Sequence, residues 1–252
     1  MRTKEEQEAI NKACKYHPET KEELNKLVDD PEVNLGEIDT TKITDMSELF
    51  KDSKRTDFSG IETWDTSNVT DMSGMFYRCE KFNQNISAWD VSSVKNMRSM
   101  FYACENFNQP IGDWDVGKVT NMNFMFFRCK EFNQDICAWN ISNVENMGSM
   151  FESCKNFNQA IGNWNVEKVK NMRAMFYACE NFKQDLNAWC VREVCYCDKA
   201  FYSAGLSYEN VKDAFTKEQL LDSHSEKIID ALNNEKKQVK VQEQKLTKGR
   251  GR

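Results

Sequence analysis

The stretch WDVSSVKNMRSMFYACENFNQPIGD, which runs from Trp89 to Asp113 and is followed at once by another tryptophan, decides the fold because the chain repeats it. Every tryptophan of the 252-residue chain stands on the same 25-residue spacing: Trp64, Trp89, Trp114, Trp139, Trp164 and Trp189. A fixed spacing of this kind identifies a tandem array, in which residues at equivalent positions form columns.

Other apolar residues keep the same spacing, and in the unit that begins at Trp89 they are Val94, Met97, Met100, Phe101, Cys104 and Phe107. They follow one another by three or four residues, which is typical of one buried stripe on a helix. The pattern predicts a helix of about three turns that Ser92 or Ser93 caps. Asn, Gln, Pro and Gly then predict a turn, and Ile111 to Val116 predicts a short extended run.

A unit of this length cannot bury its own apolar side chains, so successive units must stack. The sequence therefore predicts an α/β solenoid, a leucine-rich-repeat-like stack of 25-residue strand-helix coils with a parallel sheet and helical caps at both ends. Trp139 is expected to pack between the equivalent tryptophans of its neighbours. The expected divisions are an N-terminal cap over 1–40, a solenoid of about five full repeats over 41–205, a C-terminal helical cap over 206–235 and a basic flexible tail over 236–252.

The motif W-D-V-S-x-V-x-N-M-x-x-M-F-x-x-C-x-x-F-N-Q-x-I extends from Ile43 to about Phe201. It resembles the bacterial surface-protein repeat of about 26 residues known from mycoplasma-type lipoproteins and grouped with BspA-like leucine-rich-repeat proteins. The resemblance implies a solenoid with a parallel sheet and an association with cell surfaces and adhesion. It implies no chemistry.

Composition limits the partners and the cell compartment that can be expected for this protein. The formal net charge of −6 gives no reason to expect nucleic acid or an anionic membrane as a partner. No apolar run has the length of a signal peptide or a membrane span, so neither secretion by a cleaved signal nor membrane insertion is expected. Ten cysteines without a signal favour a reducing, cytoplasmic compartment, whereas the resemblance indicates the cell surface.

Enzymatic chemistry is not expected, and neither is a cofactor. His17 and His224 lie outside the array, no phosphate-binding glycine loop or nucleophile elbow occurs, and acids recur by repeat instead of forming a single pair. The Asp/Asn columns are expected to satisfy turn backbone and to stack amides between coils, in preference to binding calcium.

Eight of the ten cysteines form two groups. Those of one column are predicted to be buried thiols: Cys79, Cys104, Cys129, Cys154 and Cys179. Cys190, Cys195 and Cys197 leave the columns, and a disulfide, a metal site and unmodified thiols all stay open for them.

The function that the sequence favours is recognition of an unknown protein partner, with self-association as one form of it. Helical phase turns Phe124 and Phe127 away from the buried stripe, so both are expected to meet solvent. Phe127 shares its column with other aromatic residues, and Glu152 interrupts them. The candidate partner-binding residues are Phe124, Phe127, Tyr77, Tyr102, Tyr177 and Tyr202.

Two alternatives stay open. The rings could lie flat over neighbouring coils in a structural, spacer or intracellular scaffold domain without a specific ligand. The basic tail could be a solvated end or a contact for an acidic partner.

Overall fold

The computed structural model describes residues 3–192, 195–235 and 237, so Val194 and the basic tail, apart from Lys237, lie outside the described residues. Helices lie near the two ends of the described chain. Helix α1 spans Lys4–Ala13 and α2 spans Lys21–Asp29, while α3 spans Lys217–Asp222 and a further helical stretch covers 226–235. Short 3-10 helices occur at Leu35–Glu37, Ile61–Thr63 and Tyr208–Asn210.

The helix starts follow from capping side chains. Thr3 and Thr20 accept hydrogen bonds from the backbone N–H groups of Glu6 and Glu23, respectively. Thr216 and Gln219 form a reciprocal capping box at the start of α3. Such caps satisfy N–H groups that the first turn of a helix leaves without an internal partner. The domain divisions at 40, 205 and 235 stay predictions.

The segment expected to be the helix of each coil is instead a run of tight turns. In the coil of Trp89, the N–H groups of Met100 and Cys104 donate to the carbonyls three residues earlier, at 3.2 and 2.9 Å. Ser99 and Ala103 have φ angles of 56° and 57°, in the left-handed region that a right-handed helix excludes. The equivalent positions of the other coils are also left-handed: Glu48 and Asp52, Gly74 and Arg78, Phe124 and Arg128, Ser149 and Ser153, Ala174 and Ala178, and Lys199 and Ser203.

In a helix, backbone N–H groups donate to carbonyls of the same helix, whereas here many of them donate to carbonyls of the next coil. Each coil donates four of them to the next coil, at alternate residues. In the coil of Trp64, the bonds are Met72 N to Asn96 O, Gly74 N to Arg98 O, Phe76 N to Met100 O and Arg78 N to Tyr102 O, at 2.7–3.0 Å. The pattern recurs from Met46 to Ala178. The coils therefore stack along one direction with their peptide groups aligned.

The prediction of an α/β solenoid with a parallel sheet is wrong, and the leucine-rich-repeat description fails with it. Within the described ranges, extended pairing is limited to single parallel bridges and no sheet forms. One bridge joins Tyr16 and Ile38, and the others join the members of one column: Asp45, Asp71, Asn96, Asn121, Asn146, Asn171 and Tyr196. The error has a physical cause. In a helix, every third or fourth side chain lies on the same side. A turn that is closed by a hydrogen bond between residues i and i+3 also brings the chain back to one side after three residues. The spacing of apolar residues therefore does not distinguish the two structures.

The core follows the sequence columns closely. Val94, Met97, Met100, Phe101, Cys104 and Phe107 are all fully buried, as their spacing predicts. The Phe101 ring stacks on Phe107 at 4.0 Å in its own coil and on Phe76 and Phe126 of the neighbouring coils at 5.8 and 5.7 Å. Each column is thus a continuous row of packed side chains along the stack.

The tryptophans occupy the core differently from the expectation. The Trp139 ring lies over Phe126 at 6.3 Å, and no pair of tryptophan rings is in contact among the described residues, so the expected stacking of Trp139 on equivalent tryptophans is wrong. Its Nε1–H donates to the carbonyl of Ile111 in the preceding coil at 3.0 Å. All six tryptophans make the equivalent bond, which pairs a polar atom that would otherwise be buried alone.

Candidate interaction face

One side of the stack carries a row of aromatic rings, which we call the aromatic face and define by Tyr77, Tyr102, Phe124, Phe127, Tyr177 and Tyr202. Apart from Phe124, these residues follow the first left-handed residue of their coil by three positions, so the turn geometry directs them alike. Ring centroids are 4.4 Å apart between Tyr77 and Tyr102 and also between Tyr102 and Phe127. Tyr177 and Tyr202 stack at 5.0 Å.

Exposure differs along the face. Tyr202 is 41% exposed, and Tyr77, Tyr102, Phe124 and Tyr177 are half-buried. Phe127 is only 9% exposed, so the expectation that it meets solvent is wrong. The expectation assumed helical phase, whereas tight turns bring the ring of Phe127 under its neighbours. Tyr102 stacks on it, and Phe124 contacts it edge-on at 5.7 Å.

Cationic side chains cover parts of the aromatic face. The Arg78 guanidinium lies 5.4 Å from the Tyr77 ring and the Lys51 ammonium 5.7 Å from it. Arg128 lies 5.3 Å from the Phe127 ring. These distances fall within the range of cation–π attraction, so the cations help to hold the rings in place.

Gly74 opens a hollow of about 400 Å³ at one end of this face. Phe124 occupies the equivalent position two coils away, where its ring contacts Phe127 edge-on. The hollow is lined by Glu48, Tyr77 and Arg98 among others, and therefore combines an aromatic wall with charges of both signs.

Glu152 interrupts the aromatic column. It stands in the coil between those of Phe127 and Tyr177, and no ring contact joins these two residues. Burial raises the pKa of the Glu152 carboxyl above its usual value. The sequence shows the break in the column, but it gives no sign that the carboxyl is half-buried.

The Asn column forms a ladder of clamps between coils. Asn133 Oδ1 accepts from the backbone N–H of Asn158 at 2.9 Å and from Gln159 Nε2 at 2.8 Å in the next coil. Equivalent clamps begin at Asn83, Asn108 and Asn158. The expected stacking of amides is confirmed.

The Asp/Asn column fulfils the predicted structural role as well. Asp90 Oδ1, for example, accepts from the backbone N–H of Ser92 at 2.9 Å, a bond that closes a turn. Asp65, Asp115, Asn140 and Asn165 make the equivalent bond two residues ahead. These oxygens are thus engaged by their own backbone.

The prediction of a buried cysteine column is confirmed. Each thiol donates to a phenylalanine carbonyl of the preceding coil, as Cys129 does to Phe101 O at 3.0 Å. Burial raises the pKa of every thiol in this column, that of Cys79 to about 12, so the column is chemically unreactive in the folded state.

The three cysteines near the C-terminal end of the array differ from one another. Cys190 is exposed, whereas Cys195 and Cys197 are buried, and all three are free thiols. A hydrogen bond between the buried pair raises the pKa of Cys197 and lowers that of Cys195. In the described part of the chain, no three His, Cys, Asp or Glu side chains are grouped so that they could hold a metal ion.

A second hollow, of about 530 Å³, lies between α1 and the first coils. Helix α1 buries none of its residues, and Gln7 and Asn11 connect it to Thr63 O and Asp65 Oδ2 at 2.9 and 3.4 Å. None of the described helices, α1 included, is long and apolar enough to cross a bilayer.

Stacked coils with shared columns define a tandem-repeat protein whose units are joined by backbone bonds and side-chain clamps. The chain belongs to the family described as "Mycoplasma protein of unknown function, DUF285", whose model matches residues 22–126 and 104–215. This match supports the mycoplasma-type repeat of the sequence analysis, and it does not support the BspA-like leucine-rich-repeat assignment. No curated protein and no solved structure matches the chain.

Proposed function

We propose that this protein is a non-catalytic module that binds another protein through its aromatic face. The observation that carries the proposal is the row of stacked, partly exposed rings with arginines against them. Tyrosine and arginine are enriched among the residues that dominate binding energy at protein interfaces. The face is therefore rich in the side chains from which such interfaces are built.

The packing of the rings supports this proposal energetically. Tyr102 is held between Tyr77 and Phe127 at 4.4 Å on each side, so its ring has little freedom to lose on binding. Ordering a mobile side chain at an interface costs about 0.5–1.5 kcal/mol. A face whose rings are already fixed avoids much of that cost.

A structural or spacer role is the second candidate, and the burial of Phe127 favours it. A ring that is only 9% exposed stabilises the stack whether or not a partner binds. The two candidates differ over the half-buried members of the face, since a spacer has no need of the partly exposed rings of Tyr102, Phe124 and Tyr177.

Action at a cell surface is part of the proposal, and it is supported only by the resemblance of the repeat to surface-protein repeats. Antibody labelling of intact and permeabilised cells of the source organism tests it. Labelling of intact cells is the expected result, and labelling only after permeabilisation would contradict it.

The binding proposal is tested with a variant that carries Tyr102→Ser, Phe124→Ser and Tyr177→Ser. A matched control carries Asn163→Ser and Lys168→Ser, which change polar side chains outside the aromatic face. Each protein is cross-linked in an extract of the source organism, and its self-association is measured by analytical ultracentrifugation.

The wild type and the control should capture the same protein or form the same oligomer, and the triple variant should lose that association while it keeps its circular dichroism spectrum. Identical association by all three proteins, or none by any of them, would overturn the proposal and leave the spacer role.

A further inference from the structure

Three arginines accompany the rings in the N-terminal half of the aromatic face. The segments 73–78, 98–103 and 123–128 carry four of the rings, and they contain no acid; their charged residues are Arg78, Arg98 and Arg128. The acids that lie beyond the buried cysteine column are Glu80 and Glu105, and Glu105 is paired with Lys130 at 2.6 Å. The chain as a whole carries a formal net charge of −6, so this part of the face reverses the overall sign.

The three guanidinium groups keep most of their hydrogen-bonding capacity. None of them donates a hydrogen bond to another residue in the described part of the chain. Arg78 lies 3.6 Å from Asp52, and both side chains are more than half exposed, so this ion pair contributes little. Glu152 attracts Arg128 electrostatically without a hydrogen bond between them. Arg98 is exposed and has neither a ring contact nor an ion pair among the described residues. A guanidinium has five N–H donors, so each of the three can still bind an acceptor.

The stacking of the rings determines what kind of group they can contact. Tyr102 lies between Tyr77 and Phe127 at 4.4 Å on each side, so both of its faces are covered and its edge is the part that can meet a partner. The edge of an aromatic ring is positive. A base of a single-stranded nucleic acid needs an open ring face on which to stack, and Tyr102 does not offer one. The rings therefore favour an anionic group over a base or a cation.

Two of the arginines lie close to the Tyr102 hydroxyl. Burial and the neighbouring Tyr77 raise the pKa of Tyr102, whereas the positive charges of Arg78 and Arg128 oppose that rise. Both guanidinium groups therefore act at the same point of the face. A carboxylate is the acceptor that fits such a point, because it takes two parallel hydrogen bonds from one guanidinium and is attracted by the other.

The hollow at Gly74 provides a second place for a carboxylate. Arg78 and Arg98 both line this hollow of about 400 Å³, and its Glu48 carboxylate is paired with Lys51 at 2.8 Å. Arg78 borders the hollow and also the Tyr102 hydroxyl. Two carboxylates that occupied the two places would therefore be close enough to belong to one segment of a partner.

We propose that Arg78, Arg98 and Arg128 bind the carboxylates of an acidic segment of a protein partner, which lies across the edges of the rings. The inference rests on the proposed function, because it names the chemistry of the partner at the same face. The segment supplies at least two aspartate or glutamate residues, one to the hollow at Gly74 and one to the surroundings of the Tyr102 hydroxyl.

The test is selection of binders from a random peptide library displayed on phage, with the folded full-length protein as bait. Four baits are compared: wild type, Arg78→Gln with Arg128→Gln, Tyr102→Ser, and Lys118→Gln with Lys168→Gln. The lysine pair is the matched control, because it removes the same charge from exposed positions outside the aromatic face. Selected peptides are synthesised, and their affinities are measured by calorimetry, also with each acidic residue replaced by its amide.

The wild type and the lysine control should select peptides that share at least two acidic residues. The double arginine variant and the amide peptides should each show an affinity lower by about tenfold or more, as the loss of charge-assisted hydrogen bonds does. Melting curves show that each variant is folded.

Three results would overturn the inference. Selected peptides without acidic residues that bind wild type but not Tyr102→Ser would refute the role of the arginines and leave the aromatic face as a binding site. A fluorescent single-stranded RNA of random sequence that binds wild type more tightly than the selected peptides would assign the arginines to nucleic acid. If no bait selects any peptide, the inference and the proposed function both fail.

Discussion

Replacement of Trp139 tests how the coils hold one another. The ring is buried in a central coil, and its Nε1–H donates to Ile111 O at 3.0 Å. Trp139→Phe removes this bond, worth about 1 kcal/mol, and part of the ring, worth about 1–2 kcal/mol. Ile111 O keeps the N–H of Trp114 at 3.2 Å, so the carbonyl is not left without a donor. Trp139→Phe should therefore lower the free energy of unfolding by about 2–3 kcal/mol.

Trp139→Ala removes the whole ring and should lower the free energy of unfolding by about 4–6 kcal/mol, the sum of the cavity and the lost hydrogen bond. Urea denaturation followed by circular dichroism measures both variants. Tyr202→Ala is the control, because its ring is 41% exposed and should cost less than about 1 kcal/mol. The reasoning is refuted if Trp139→Ala costs no more than this control.

Three further predictions concern other columns. Cys129 should resist iodoacetamide in the native protein while the exposed Cys190 reacts, as peptide mass spectrometry can show; equal labelling rates would place the thiol column outside the core. Glu152→Gln should raise the melting temperature at neutral pH, because burial raises the pKa of the carboxyl and the folded state disfavours its charged form. That difference should shrink as the pH falls below the raised pKa of the folded state and should be gone below about 4.3, where the unfolded chain is protonated too; a difference that is constant with pH would contradict this cause. Asn133→Ala should cost about 1–2 kcal/mol in urea unfolding, since two hydrogen bonds to the next coil are lost, and an unchanged midpoint would show that the clamp contributes nothing.

The side chains that form the core could be predicted from the sequence. Columns such as Met100 and Cys104 repeat by residue type, and stacking is the arrangement that buries them all. Their burial does not depend on whether helix or turns carry them. The columns therefore gave the inside of the molecule correctly even though the secondary structure was wrong.

The backbone could not be predicted because its decisive positions carry no consistent residue type. Left-handed residues are usually glycine or asparagine, whereas here Ser99, Phe124 and Ala174 occupy one such column and only Gly74 gives the expected signal. Stacking holds these residues in a strained conformation, because their N–H groups bond to the next coil. That constraint comes from neighbouring coils and is invisible within one repeat.

The columns of residue types also located the candidate interaction face. The prediction of helices where the structure has turns led to a wrong exposure for one of its residues. The aromatic row is a property of residue type, so Tyr77 and Tyr177 could be assigned to one face. The exposure of Phe127 depends on the direction of the backbone, so its prediction from helical phase was wrong. The half-buried state of Glu152 depends on the coils on both sides of it, so it could not be predicted from the sequence.

The central claim is that each coil is a run of turns with two left-handed residues, and Ala103→Gly tests it directly. Ala103 has a φ of 57° and is half-buried, so glycine relieves strain while little packing is lost. The substitution should raise the free energy of unfolding by about 0.5–1 kcal/mol. Ala88→Gly, at a half-buried alanine that is not left-handed, should lower it by a similar amount. In a helix both substitutions would destabilise, so a loss of about 1 kcal/mol with Ala103→Gly would contradict the account.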